Sequence, residues 1–213
     1  MKKYLMTAAV VLAAAGSASA ASYFDGWRTG LTLGYSNTTA KSKDFADVAT
    51  GKEGNKSGFN VGLLAGYMSA FGKASFGGDV NVSYDTAKAK FSEAVDETAI
   101  KLQPRFGVGA GVRAGMLFSE QVMGFIRLGV DYNWAKVKSD SATDTEKLGY
   151  WSFVPGIGVE GCINEKMNWT AQVDYKMAFN TKKFQFTEAG EKVQVFDKKP
   201  KSIIAKVGIS YKF

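Results

Sequence analysis

Apolar and polar residues alternate through stretch after stretch of this chain, and the last stretch shows the pattern most clearly. Val207, Ile209, Tyr211 and Phe213 share one side of an extended strand, and Lys206, Gly208, Ser210 and Lys212 share the other. The strand runs flush to the final residue. Chain ends usually fray, but a last strand that must pair with a first one has no such freedom. Beyond the N-terminus no apolar run reaches the roughly 18 residues of a membrane-spanning helix. The apolar content is arranged with a period of two, and that predicts sheet.

Eight such strands can be read, joined alternately by short and long connectors. The first runs near Trp27 to Ser36, followed by a long polar stretch from Asn37 to Ser57. The second (near Gly58 to Met68) and third (near Ala74 to Asp85) are joined by a short turn. The fourth covers about Lys101 to Leu117 and the fifth about Val122 to Trp134, with a turn near Ser119-Glu120 between them. A polar stretch from Ala135 to Leu148 leads to the sixth, about Tyr150 to Ile163. The seventh, about Met167 to Met177, and the C-terminal strand from about Ser202 complete the set. Two further alternations predict hairpin extensions. Phe184 to Phe186 faces Val193 to Val195, and Ala89 and Phe91 face Ile100 and Leu102.

An even count with connectors of unequal length predicts an eight-stranded antiparallel up-and-down barrel in a membrane, all β. One face of each strand is apolar and tipped with aromatics such as Trp27, Tyr67, Trp134 and Tyr211. The other face carries Gly, Asn, Asp and Arg. A soluble barrel would turn the apolar face inward; a membrane barrel turns it to lipid and gathers aromatics at strand ends.

The N-terminus supports export. Met1-Lys2-Lys3 is followed by an apolar run from Tyr4 to Ala15 and by Gly16-Ser17-Ala18-Ser19-Ala20. This predicts a signal peptide over residues 1–20, cleaved between Ala20 and Ala21, with a barrel domain over 21–213. The one cysteine, Cys162, cannot form an intramolecular disulfide. The absence of histidine removes the commonest general base and metal ligand. No cofactor or metal is expected. The net charge of +7 suits anionic lipopolysaccharide rather than nucleic acid, which an exported barrel does not meet.

The residues Gly26-Trp27 and Gly34-Tyr35, the run Gly107 to Arg113 with Gly115, Pro155 to Glu160, and the Lys206 to Phe213 terminus resemble the small OmpA/OmpX-type outer-membrane barrels, among them the opacity-type surface proteins. The resemblance implies an eight-stranded barrel in the bacterial outer membrane with a largely plugged interior. It implies roles in envelope integrity, adhesion or contact with a host or surface ligand through the loops. It also implies that Lys206, Gly208, Tyr211 and Phe213 form a C-terminal assembly signal read by the barrel-assembly machinery, with periplasmic chaperones escorting the chain.

The inward charges are the one constellation with chemical potential. Asp79, Asp131, Glu160 and Asp174 are acidic; Arg105, Arg113, Arg127, Lys176 and Lys206 are basic. They read as a salt-bridge plug, since buried charges must be paired and an eight-stranded interior is narrow. They also read as the selectivity lining of a small porin, or as a catalytic acid pair. A hairpin centred near Glu120 sets Arg113 opposite Arg127, with Asp79 and Glu160 as flanking carboxylates and Asp131 as the substitute for Glu160. No nucleophile–histidine pair exists, so the chain is expected not to be an enzyme. Mass spectrometry of the outer-membrane fraction should find Ala21 at the N-terminus; an intact Met1 would contradict the cleavage reading.

Overall fold

The computed structural model describes residues 23–41, 53–86, 89–92, 99–139, 145–180, 185–188, 191–194 and 201–213. The strands in chain order are β1 (Gly26–Lys41), β2 (Glu53–Phe71), β3 (Ala74–Asp85), β4 (Ala89–Ser92), β5 (Ala99–Ser119), β6 (Val122–Ser139), β7 (Thr145–Asn164), β8 (Met167–Asn180), β9 (Gln185–Glu188), β10 (Glu191–Gln194) and β11 (Lys201–Lys212). Eight of them close an antiparallel barrel in the order β3-β2-β1-β11-β8-β7-β6-β5, with β3 paired to β5, and the short β4 joins the same sheet beside β5. The described residues contain no helix.

The seam between the ends of the chain is long. β1 pairs with β11 from Arg28↔Lys212 to Thr39↔Lys201. Phe213 N–H donates to the Trp27 carbonyl at 2.9 Å, and Lys212 N–H to the Lys166 carbonyl at 2.7 Å. The terminal residue is therefore held by the first strand, and its neighbour by the β7–β8 turn. In hydrocarbon an unpaired backbone group costs several kcal/mol, roughly, so a spanning sheet has to close.

Tight turns mark one end of the barrel. β2 and β3 are joined by Gly72-Lys73, where Gly72 has φ +60°, a conformation that favours glycine. Residues 120–121 and 165–166 form the other two. At the opposite end the strands run further than the sequence predicts. β1 continues to Lys41, β2 starts at Glu53, β6 reaches Ser139 and β7 starts at Thr145. The polar stretches 37–57 and 135–148 are thus partly strand. Pairings such as Lys136↔Lys147 continue the ladder because backbone groups pair whatever the side chains are. Of the two expected hairpin extensions, one joins the barrel sheet, where Phe91 pairs with Ile100. The other forms a separate two-stranded hairpin in which Phe186 pairs with Val193, and Phe184 and Val195 lie outside the described residues.

The burial pattern is inverted relative to a soluble protein. Leu33, Leu63, Val112, Ile157 and Val207 are exposed, while Asp79, Arg113, Arg127, Glu160 and Asp174 are buried. Aromatic contacts collect in two bands. Trp27–Tyr67 and Tyr211–Phe213 lie at the short-turn end, each with ring centroids 5.3 Å apart. Phe106, Tyr132, Trp134 and Trp151 stack along neighbouring strands toward the other end. Leu63 sits between Phe59 and Tyr67, halfway between the bands. Leu63→Arg should destabilise the barrel in a bilayer by about 2–4 kcal/mol, read as a lower urea midpoint for loss of the folded, heat-modifiable species. An unchanged midpoint would contradict a lipid-facing β2.

Candidate functional site

Among the described residues the lumen gathers charged side chains away from water. Its layout follows from register. Across the β5–β6 hairpin Arg113 is paired directly with Arg127, and across β3–β5 Asp79 is paired with Gly111. Two guanidinium groups side by side repel strongly in a low-dielectric interior. The side chain of Asp79 lies between them. Its Oδ2 accepts from Arg113 Nε at 2.9 Å, and its Oδ1 accepts from Arg127 Nη2 at 2.7 Å. Arg127 Nη2 also donates to Asn81 Oδ1 at 2.9 Å.

The glycines of β5 make this arrangement possible. A Cβ on Gly111 would lie 2.8 Å from Arg127 Cζ, and one on Gly109 would collide with Asp131 Oδ1. The inward glycines clear space for the long side chains of the neighbouring strand β6.

The network continues around the barrel from Arg113. Its Nη1 approaches Glu160 Oε2 at 3.4 Å, and its guanidinium lies 4.6 Å from the centroid of the Phe125 ring. Glu160, fully buried, also accepts from Arg28 Nη1 and from Asn168 Nδ2. Arg28 was not foreseen as a member, although parity with the outward Trp27 and Thr29 would have placed it inside. Glu160 thus bridges Arg113 and Arg28, and Asp79 bridges Arg113 and Arg127.

The other predicted acids pair with lysines farther from the short-turn end. Lys206 Nζ lies 2.7 Å from Asp174 Oδ2, and Gln172 Nε2 donates to Asp174 Oδ1. Lys176 Nζ reaches Asp131 Oδ2 at 3.0 Å and Asn133 Oδ1 at 2.9 Å; Asn133 in turn donates to Ser152 Oγ. Asp131 therefore partners Lys176 and does not stand in for Glu160. The side chain of Arg105 lies outside the described residues, as do those of Lys41, Lys43 and Lys182 in the long polar connectors, and Ala20 and Ala21.

Between these layers the lumen holds small cavities. One, of about 30 Å³, lies among Asp79, Asn81, Arg113, Arg127, Gln172 and Lys206. Another, of about 20 Å³, lies among Asn60, Asp85, Asn133, Tyr150 and Lys176. Each has room for about one or two water molecules. Cys162 is half-buried near the short-turn end, where its thiol contacts the Asn164 carbonyl. Among the described residues no cluster of three or more metal-ligating side chains occurs.

The C-terminal residues divide between the two faces. Lys206 points into the lumen; Tyr211 and Phe213 are exposed outside. A Cβ on Gly208 would meet the Leu31 carbonyl at 2.6 Å, as one on Gly30 would meet the Ile209 carbonyl at 2.6 Å, so the β1–β11 seam packs closely there.

Removing the Asp79 charge leaves Arg113 and Arg127 facing each other. Asp79→Asn should cost about 3–5 kcal/mol of folding stability, measured by urea titration of the refolded barrel. Asp79→Asn combined with Arg127→Met should recover part of the loss. A single variant as stable as wild type would remove Asp79 from the centre of the network.

Among solved structures the fold resembles Neisserial surface protein A, with a TM-score of 0.56 and 16% identity over 89% of this chain and 98% of that one. It also resembles the outer membrane protein OprG from Pseudomonas aeruginosa, with a TM-score of 0.56 and 13% identity over 92% of this chain and 99% of that one. A search of curated proteins finds no match. The family model for the outer membrane protein beta-barrel domain matches residues 6–213. With its closed eight-stranded sheet, apolar exterior and charged lumen, the chain belongs to that family and is a protein of the bacterial outer membrane.

Proposed function

We propose that this barrel is a non-conducting, non-enzymatic surface protein. Its transmembrane part is a closed pedestal, and its long outer loops serve envelope integrity, adhesion or contact with a host or surface ligand. The observation that carries the reading is the chain of ion pairs Arg28–Glu160–Arg113–Asp79–Arg127, which crosses the lumen from wall to wall. Ion pairs of this burial persist because separation would strand charges in a low-dielectric interior. The small cavities beside them support closure over conduction. The lack of histidine and the engagement of the interior carboxylates with Arg or Lys support a structural role over catalysis.

In this reading the loop lysines, which are mixed with Asp and Glu, meet lipopolysaccharide phosphates at the rim. Lys206, Gly208, Tyr211 and Phe213 form the segment that the barrel-assembly machinery engages after chaperone escort. The seam they build is pinned by the Phe213–Trp27 hydrogen bond.

Planar-bilayer recordings of refolded protein test the proposal. Wild type should stay closed, and Asp79→Asn combined with Glu160→Gln should raise the leak conductance. A large, stable open state in wild type would overturn the pedestal reading and favour a small porin.

A further inference from the structure

Beneath the charged layer, at the short-turn end, which in outer-membrane barrels faces the periplasm, the lumen changes character. Phe24, Met68, Met123 and Phe125 form a buried apolar cluster, with Tyr23 and Leu117 packed against it. Met68, Met123 and Phe125 come from strand ends at the periplasmic mouth. Phe24 does not come from a strand. It belongs to the segment before β1, yet it is only 2% exposed. A large apolar residue outside the sheet, in a connecting segment, would ordinarily lie at the surface.

Three features hold it there. Gly26, the first residue of β1, has φ +117°, a conformation that L side chains rarely adopt, and it redirects the chain where the Phe24 segment enters the strand. Trp27, the next residue, is fixed by Phe213 N–H on its carbonyl. Asn168 Nδ2 is shared between the Tyr23 carbonyl at 3.3 Å and Glu160 Oε1 at 3.1 Å. The segment is thus tied, through the Asn168 amide, to the carboxylate that joins Arg28 and Arg113. The apolar cluster meets the same layer again where Arg113 lies over Phe125.

We propose that Tyr23-Phe24 is a cork: an intramolecular seal whose aromatic ring occupies an apolar pocket in the periplasmic mouth, latched to the lumen's ion pairs through Asn168. The cork excludes periplasmic water from Glu160. The bend at Gly26 is its hinge, and the pocket of two methionines and a phenylalanine is adaptable enough to let the ring leave and return. Because the hinge is anchored by Phe213, the cork seats fully only once β11 has closed on β1. The inference goes beyond the closed-lumen reading by giving the barrel a second closure of different chemistry.

Thiol accessibility tests the seal. In a Cys162→Ser background, Met68→Cys places a probe on the pocket wall and Lys73→Cys places one on the exposed turn. With the cork seated, a charged maleimide added from the periplasmic side should label Met68→Cys about tenfold or more slowly than Lys73→Cys, since reaction requires local opening. Adding Phe24→Ala should raise the Met68→Cys rate by about tenfold or more, and Phe24→Leu should restore protection. Met123→Cys repeats the measurement from β6 if Met68→Cys does not fold. Labelling as fast as Lys73→Cys with Phe24 intact, or no response to Phe24→Ala in heat-modifiable protein, would overturn the cork. Conductance separates the two closures. A conducting wild type with a protected Met68→Cys refutes the ion-pair closure and leaves the cork; a closed wild type with a freely labelled Met68→Cys does the reverse.

Discussion

A sheet that crosses hydrocarbon must pair every backbone N–H and C=O within itself, and the β1–β11 seam is where this chain meets that demand. Twelve residues of β11 lie between β1 on one side and β8 on the other. The seam also sets the geometry of everything inside. It fixes which strands are neighbours across the lumen, and so brings Arg28 of β1 to Glu160 of β7. It places Lys206 of β11 against Asp174 of β8. An open sheet of the same strands would leave those charges to water.

Closure gives the strands a shared interior lined by buried polar and charged side chains. Those side chains lie in layers of different chemistry. The apolar layer lies at the periplasmic mouth, the arginine–carboxylate layer above it, and the lysine–carboxylate pairs above that. Where like charges are forced together by register, as with Arg113 and Arg127, a carboxylate from the next strand separates them. Satisfaction is uneven. Arg28 Nε and Nη2 and Asp131 Oδ1 have no hydrogen-bond partner among the described residues, although Arg28 and Asp131 each hold an ion pair. The layer is held by charge complementarity more than by complete hydrogen bonding, and such groups are costly when a neighbour is removed.

Much of this was legible in the sequence because a strand has a strict period of two. Knowing that Val207 faces outward fixes Lys206 inward, and the turn near Glu120 alone sets Arg113 against Arg127. Parity says which face a residue joins, but not which distant strand it meets. The partnership of Arg28 with Glu160, and of Asp131 with Lys176, depends on strand stagger around the whole barrel. Strand ends were harder still. Beyond the lipid the alternation fades while the ladder continues, so Lys41 and Glu53 read as loop and pair as strand. Phe24 lay before the first alternating stretch, and nothing in its neighbours' pattern marks it as buried.

The two ends of the chain bear on each other at the periplasmic mouth. Phe213 holds Trp27, Gly26 turns the chain inward, and Tyr23 reaches Asn168 and through it Glu160. A change at the C-terminus therefore reaches the lumen's charges through a short series of contacts: one backbone hydrogen bond, one bend and one amide. Closure of the seam, seating of the apolar layer and ordering of the arginine–carboxylate layer share residues, which is the physical condition for their forming together. An exterior built for lipid and an interior built of paired charge then have a common origin in one geometric requirement, that the first and last strands meet in register.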